Sequence, residues 1–595
     1  MDKKNMKAET GNSQLISKLF FRLLPIQILV YVVSTINETV SGLFASNYIG
    51  TEAMSAIGLY SPINVLIIAL SLMIANGSQV LCGKYMGRND KEQIQRVFSM
   101  DLVLTVGLSV LVIIALAIVS VTDMTRIMTG DLAVREVLKQ YIVGKCVGII
   151  PMLLTMHLPA FLSLEYQTKR TAFASIACII ANVFFTYVFV RVLRLSAFGL
   201  ALASAFGLWV FFAVQVQYYF SGKSQLKFSV RNLGGKDALQ IIKVGYPRAI
   251  DRGYMTVQVM ILNMLIIHFV GSLGLSAYAA VNSILEIFWS IPTGIQDVSR
   301  MLFSISHGEE DRKSLVDTMK TSLLKGIPFT GVFSAAAILT AEPLTRLFYR
   351  DPTNPVYHMT VMGFRILPIS LMIGLIYMIF YCYAQIVNKQ VLVNILSVLY
   401  GMVCPCVFTA LLIPSMKMNG VYWSDVISCL ICAAVVFLYS WITRKKVPKN
   451  TEELMVIPED FGVNEDERID ISVHSMSEVL SVSQQVIDFS RSRGIDERRS
   501  YFAGLFLEEM AGNVVAHGFN KDKKKHSVDI RVVHKNEDMI LRIKDDCIPF
   551  NPEERQEIMD PKDRMKGVGI RIVYQAAKSI RYQNMLSLNV LTIRI

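Results

Sequence analysis

The stretch IGTEAMSAIGLYSPI (residues 49–63), continued by an apolar segment of helix length and closed by GKYMGRND (83–90), occurs twice in the chain. The second copy reads VGSLGLSAYAAVNSI (270–284), then another apolar segment, then ISHGEED (305–311). Gly50 aligns with Gly271, Ser55 with Ser276, Ala56 with Ala277, Ile63 with Ile284, Gly87 with Gly308 and Asp90 with Asp311, all at one offset. The same offset carries Gly199 onto Gly420. A repeat this long predicts two structurally equivalent halves. In a membrane chain, two such halves pack around a central pathway.

The surroundings of the repeat are those of a membrane protein. Of the 595 residues 53% are hydrophobic, and the mean hydropathy is +0.45, too apolar for a soluble globular chain of this length. Runs such as Leu102–Val121 and Ala172–Val190 can each cross ~30 Å of hydrocarbon as a helix of ~20 residues. The net charge of +12 does not point to nucleic acid. Its basic residues flank the apolar runs instead of gathering on one soluble face, as positive-inside topology requires. Most of the nine cysteines lie within apolar runs, Cys429 and Cys432 among them, and read as small packing residues without metal. The polar start, MDKKNMKAETGNSQ, is too long before the first apolar run for a cleaved secretory signal.

Twelve spans are expected, near 23–47, 55–82, 97–121, 138–164, 172–192, 197–220, 245–270, 275–303, 318–341, 357–385, 389–413 and 419–442. Basic residues cluster after the second span (Lys84, Arg88, Lys91, Arg96), between the halves (Lys223, Lys227, Arg231, Lys236, Lys243) and after the last span (Arg444, Lys445, Lys446). With an even count these fall on one side, so both termini and the link between halves are expected in the cytoplasm of a multi-pass plasma-membrane protein. The expected units are an N-terminal segment 1–22, a six-helix lobe 23–221, a link 222–244, a second lobe 245–442, a linker 443–469 and a soluble α/β domain 470–595. The linker is charged and contains proline, without apolar periodicity. The soluble domain shows a strand, two helices, a hairpin at 527–546, a short helix and two final strands.

Two resemblances give this layout chemical content. NYIGTEAMSAIG, GKYMGRND, YPRA with Pro247 opposite Pro25, and AFGLALASAFG are similar to the multidrug and toxic compound extrusion (MATE) family over ~440 residues. The resemblance implies twelve helices in two lobes, and export of cationic or amphipathic compounds in exchange for protons or sodium ions. Such exchange needs an acid at membrane depth, where an ionisable side chain is costly unless it works. The family's first-helix acid falls on Ser41, and its fifth-helix acid, four residues after Asn182, falls on Thr186; both are neutral. Glu38 lies one helical turn from Ser41 and is a substitute candidate. Glu286 and Asp297 are further candidates for coupling, although Asp297 and Arg300 stand at i, i+3 and can neutralise each other. Asn182 is a candidate as the family's asparagine, or simply a packed, hydrogen-bonded amide.

In the tail, LEEMAGNVVAHGF (507–519) places Glu509 and Asn513 on one helix face. That suits a general base beside a magnesium-holding oxygen. Asp545 ends a strand, and Gly567 and Gly569 open a helix whose bare amides can cradle phosphates. The three features in this order resemble the GHKL (gyrase, Hsp90, histidine kinase, MutL) ATP-binding fold, nearest its anti-sigma-factor serine kinases. The resemblance implies Mg-ATP, with Glu509 as base, Asn513 on magnesium, Asp545 on the adenine amino group, and Gly567 and Gly569 on the phosphates. It departs at D-x-G-x-G, which reads Asp545-Asp546-Cys547-Ile548-Pro549, so a side chain at 547 is expected to crowd the adenine. The segment after it is short for a phosphate lid. Lys521–Lys525 reads as a solvated turn. No dimerising helix pair with a phosphoacceptor histidine precedes the tail, which argues against a histidine kinase.

The expected fold is therefore an all-α polytopic membrane protein followed by a GHKL-type α/β sandwich. The expected function is ion-driven efflux, regulated by a cytoplasmic ATP-binding domain. ATP would not drive transport, since the tail has neither a P-loop Gly-Lys-Ser/Thr nor an ATP-transporter signature. The alternative is a receptor on a transporter-derived bundle, controlling a serine-kinase tail that acts on a cytoplasmic regulator protein. The expected partners are a small-molecule export substrate, the lipid bilayer and such a regulator, without nucleic acid.

Overall fold

The structure, a computed structural model, describes residues 3–44, 51–122, 125–129, 131–165, 167–229, 231, 233–459, 461–463, 465–520, 526–535, 538–552, 568–586 and 588–595. Side chains are described within these ranges except at 3–14, 34, 37–44, 51–55, 127, 465, 535 and 585.

The first half consists of α1 (Lys3–Phe44), α2 (Thr51–Gly87), α3 (Lys91–Val121), α4 (Leu132–Cys146), α5 (Ile149–Leu164), α6 (Thr168–Thr186) and α7 (Ser196–Phe220). The second half uses α8 (Gly235–Phe269), α9 (Ser272–Gly308), α10 (Arg312–Leu324), α11 (Gly326–Leu339), α12 (Pro355–Ile366), α13 (Pro368–Ile386), α14 (Gln390–Val398), α15 (Cys404–Met416) and α16 (Met418–Arg444). Among the described residues ten helical segments are long and apolar enough to cross a membrane. They become eleven if α4 and α5, bent by 48°, form one span. The expected count was twelve. The one long helix outside this set is α9, whose Asn282, Glu286, Gln296, Asp297 and Arg300 dilute its apolar run.

The repeat is visible in detail at the corners after α2 and α9. Asn89 and Glu310, equivalent in the repeat, take left-handed φ values of 55° and 54°. The next residues cap the following helices. Asp90 (φ −105°, ψ 85°) accepts from Gln93 N, and Asp311 (φ −98°, ψ 94°) accepts from Ser314 N. Between the corners the two halves touch backbone to backbone. A Cβ on Gly87 would lie 2.2 Å from Ile305 O, and one on Gly308 would lie 2.0 Å from Lys84 O. Only glycine permits that approach. Gly245 of α8 meets Met73 O of α2 in the same way, at 1.8 Å. This end of the bundle is closed.

The tail forms a five-stranded antiparallel sheet of β1 (Arg468–Val473), β2 (Val528–Lys535), β3 (Asp538–Asp545), β4 (Ser579–Met585) and β5 (Leu588–Arg594), in the order β1-β2-β3-β5-β4. Alternation separates its faces. Val528, Ile530, Val532, Met539, Leu541, Ile543, Leu591 and Ile593 join a core with α17 (Met476–Ser492) and α18 (Glu497–Asn513). α19 (Val568–Ala576) closes that core with Ile570 and Val573. The opposite face carries Arg468, Asp470, Asp529, Arg531, Arg542, Lys544, Arg581 and Gln583. Such a face ordinarily meets water; here it lies on the closed end of the bundle. The linker is pinned as well. Asn450 caps a short helix, Thr451–Met455, and Glu452 pairs with Arg312 at 2.5 Å. Lys389 Nζ donates to Met455 O and Val456 O, and Phe461 stacks on His307.

Candidate functional site

α18 presents Glu509 and Asn513 one turn apart, and a π turn, Val514–Gly518, follows at once. Glu509 lies over the bare Cα of Gly569, near the start of α19; a Cβ there would be 1.7 Å from Glu509 Oε2. A strand-end turn holds Asp545. Its Oδ1 accepts from Cys547 N at 3.0 Å and from Asn589 Nδ2 at 2.7 Å. Tyr582 and Asn584 fix the other end of that amide. Asp545 is buried, and burial pushes its carboxyl above the usual range. Cys547 packs against Gly518, whose added Cβ would meet Cys547 Sγ at 3.0 Å. The structure thus brings Glu509 to Gly569, and Asp545 to Cys547 and Asn589. Gly567, the Lys521–Lys525 run and the segment 553–567 lie outside the described residues. Glu509, with Asn513 one turn along the same helix, thus stands at the start of α19; if this domain holds Mg-ATP, Asn513 is the residue that would face the magnesium.

One position beyond Asp545, Asp546 accepts from His526 Nδ1 at 2.8 Å and pairs with Lys18 of α1. Burial alone would raise its carboxyl, but these partners outweigh burial and hold it below the usual range. The strand-end turn of the candidate site is therefore tied to the first helix of the membrane half.

The polar sheet face grips both repeated corners. From the first, Asn89 Nδ2 donates to Arg581 O at 2.9 Å, and Met86 O accepts from Gln583 Nε2 at 2.8 Å. From the second, Glu309 pairs with Lys544 at 2.6 Å and Arg542 at 3.7 Å, and Asp311 pairs with Arg531. Leu586 N, in the β4–β5 turn, donates to Leu164 O at the end of α5. Burial of Asp311 would raise its carboxyl; Arg531 and Lys544 prevail and hold it well below the ordinary range. Nothing in the sequence marked this interface, because Asp529-Ile-Arg531 reads as any half-solvated strand.

In the membrane half the candidates separate. The Glu38 and Ser41 side chains lie outside the described residues. Asn182 is buried and accepts from Thr186 Oγ1 at 3.2 Å, so the neutral residue at the acid position bonds the asparagine. Glu286 is exposed on α9. Asp297 pairs with Arg300 at 2.5 Å and accepts a hydrogen bond from the Tyr31 hydroxyl of α1 at 2.6 Å. Sequence reasoning missed a second ionisable group in the bundle. Asp101 of α3 and His157 of α5 are wholly buried against each other, with His157 Nδ1 2.9 Å from both carboxylate oxygens. The available signal was an acid and a histidine inside apolar runs.

Comparison with known proteins follows the same division. Residues 25–188 and 247–411, together more than half of the chain, match the MatE family. The chain belongs to the MatE family. Residues 472–595 match a histidine kinase-like ATPase domain. A curated relative, "Probable multidrug resistance protein NorM" of Halalkalibacterium halodurans, is 24% identical over 197 residues, 32% of this chain and 41% of that protein. The match thus spans about two-fifths of the relative's length. Among solved structures, the outward-facing conformation of a multidrug resistance MATE family transporter of the MOP superfamily superposes with TM-score 0.67 at 20% identity, over 73% of this chain and 98% of that one. A MOP superfamily transporter from Pyrococcus furiosus, described as having a binding pocket of reverse polarity, gives TM-score 0.66 at 20% identity, over 74% and 99%. These likenesses carry the MatE fold, and the two matched stretches are the two halves that the repeat predicted.

Proposed function

We propose that this MatE-family chain is a plasma-membrane efflux transporter, exporting cationic or amphipathic compounds against an ion gradient. Its Mg-ATP-binding tail, on the cytoplasmic side, governs the exchange. The observation that carries this reading is the grip of one sheet face on both repeated corners, Met86–Asn89 and Glu309–Asp311. In a two-lobed transporter the lobes must part at one end and then at the other. A domain bonded to both lobes at one end opposes parting there. Nucleotide binding at Glu509, Asn513, Asp545 and Gly569 is the natural control of that grip, since Lys18 of α1 pairs with the neighbouring Asp546. Such control makes ATP a regulator and leaves the ion gradient as the driving force.

The test is export of ethidium from vesicles holding the whole chain, under imposed proton and sodium gradients, with Mg-ATP or EDTA on the tail side. Gradient-driven export that changes with Mg-ATP is the expected result. Export indifferent to nucleotide removes the regulatory claim. A second reading, a receptor controlling a serine-kinase tail, draws support from Thr186 bonded to Asn182 and Asp297 neutralised by Arg300. It expects no export under any gradient, and phosphate transfer to a regulator protein that Glu509→Ala abolishes.

A further inference from the structure

We propose that Asp101 and His157 form the proton-binding site through which this chain couples transport, which makes the proton, not sodium, the exchanged ion; this rests on the efflux reading above. Both side chains have no exposed surface. Ten residues into α3, Asp101 stands ~15 Å along that helix from its tail-side start. Asp101 is five residues beyond Arg96, the last charged side chain before it on α3, and a buried ionisable pair inside such a candidate span is a functional candidate by default.

The hydrogen bonds define what a proton does here. With Asp101 ionised, His157 Nδ1 donates to both carboxylate oxygens at 2.9 Å. Its Nε2 lies 3.0 Å from Ser71 Oγ of α2. In the neutral ring, Nε2 accepts from that hydroxyl. A proton arriving on the Nε2 lone pair makes Nε2 a donor, and the Ser71 hydroxyl turns to accept. Release reverses the step; while the ring is protonated the Ser71 hydrogen, displaced from Nε2, turns to another acceptor. Sodium has no comparable place, because a hard cation seeks several open oxygens and His157 Nδ1 already occupies both oxygens of the Asp101 carboxylate. One protonation event is thereby shared by three helices: α2 through Ser71, α3 through Asp101 and α5 through His157.

The groups facing the pair supply a route. Thr105 Oγ1, one turn deeper on α3, lies 3.2 Å from His157 Nδ1. Ser109, a further turn along, donates to Thr105 O, so a buried polar stripe leads away from the tail. Toward the tail, Tyr219 of α7 stacks on Phe98, three residues before Asp101 on α3. Its buried hydroxyl has no hydrogen-bond partner. Glu165, just beyond α5, accepts from Ser224 Oγ and Leu226 N. Cys82 of α2 is the other titratable group near Asp101. Among the described residues, α4, α6 and α8 bring no lysine or arginine within ion-pair distance of Asp101 or His157. The pair is thus not a salt bridge permanently satisfied by a fixed cation, as Asp297 is by Arg300.

The experiment uses the full chain in liposomes, with ethidium as the exported probe and an imposed pH gradient. Ethidium binding and the accompanying proton release are read in weakly buffered detergent. Wild type is expected to export and to release protons on binding. Asp101→Asn keeps the amide oxygen for His157 Nδ1; it is expected to bind ethidium, release no proton and lose gradient-driven export. Ser71→Ala removes the acceptor of the protonated ring more than the donor to the neutral one, because bonds to charged groups are stronger. It is expected to move the pH midpoint of export toward acid by about half a unit or more. Gradient-driven export by Asp101→Asn overturns the proposal. If Asp101→Asn does not fold, an unshifted pH profile in Ser71→Ala overturns it equally. Absence of export by wild type defeats the efflux reading itself and is seen before any variant is compared.

Discussion

Arg531→Ala should release the tail from the membrane half. The Arg531 and Asp311 side chains are 10% and 4% exposed, so the pair is buried between two domains. Removing one member of such a pair strands the other charge, at a cost of about 3–5 kcal/mol. At 1.36 kcal/mol per factor of ten, the docked-to-released ratio falls about 10²–10⁴-fold. Arg531 also donates to Glu310 O at 3.4 Å and stands 3.8 Å from Asp470, so the larger figures include these contacts. Asp311 needs a gentler change, because it also caps α10 through Ser314 N. Asp311→Asn keeps a good cap and removes the charge. Donor and acceptor dyes at the exposed positions Lys223 and Gln484 report docking, and a urea series keeps a tightly docked tail measurable. Each single variant should release the tail at lower urea. The double variant should cost less than the sum of the two by about 0.5–3 kcal/mol. Additive costs, or a shift below about tenfold in either single variant, would refute a buried ion pair as the anchor of the clamp.

Two more outcomes follow from the same coordinates. In Asp101→Asn, where the bundle's proton site is removed, docking should not weaken between about pH 8 and 5, well above the ordinary carboxylate value near 4. Asp311 and Asp546 have depressed carboxyls, so their contribution is present above the ordinary carboxylate value and fades only below it. Asp470 and Asp529 are raised by burial, so acidification relieves a cost in the docked form. Dye-reported release near pH 6 would contradict both signs. Cys547→Gly removes the side chain packed on Gly518 and should strengthen Mg-ATP binding, read by isothermal titration; unchanged binding would show that this side chain does not crowd the adenine.

The repeat made the two halves legible because glycines and caps at Gly87–Asp90 and Gly308–Asp311 are constrained by backbone geometry alone. The hairpin of β2 and β3 was legible from its period of two. The docked face was not. Asp529, Arg531, Arg542 and Lys544 form the polar half of an alternating pattern, and that pattern is the same whether the other side is water or Glu309 and Asp311. The bundle partners of Arg531, Arg542 and Lys544 lie more than 200 positions upstream, and no local spacing records them. Asp101, one of the buried acids of the bundle, was hidden for a different reason. Asp101 directly precedes the apolar run Leu102–Val121, so it resembles the polar end of a span. Only tertiary packing puts His157 against it. Glu509 and Asn513 were legible because one helix carries both.

The tail and the Asp101–His157 pair meet through the β4–β5 hairpin. Arg581 O in that hairpin holds Asn89, in the corner that leads into α3 and Asp101. Leu586 N holds Leu164 O, two helical turns beyond His157 on α5. One hairpin therefore touches the ends of α3 and α5, two of the three helices that share the proton. If nucleotide binding alters the docked hairpin and docking alters the pair's proton affinity, the two equilibria are linked and the effect is reciprocal. A coupling of 1–3 kcal/mol changes an affinity by about 5–150-fold. Mg-ATP affinity of the whole chain in detergent should then change by about fivefold or more between pH 6 and pH 8. Asp101→Asn, remote from every nucleotide contact, should flatten that dependence. A flat profile in wild type would separate the two sites. A dependence unchanged in Asp101→Asn would assign it to groups of the tail itself, His526 beside Asp546 foremost among them.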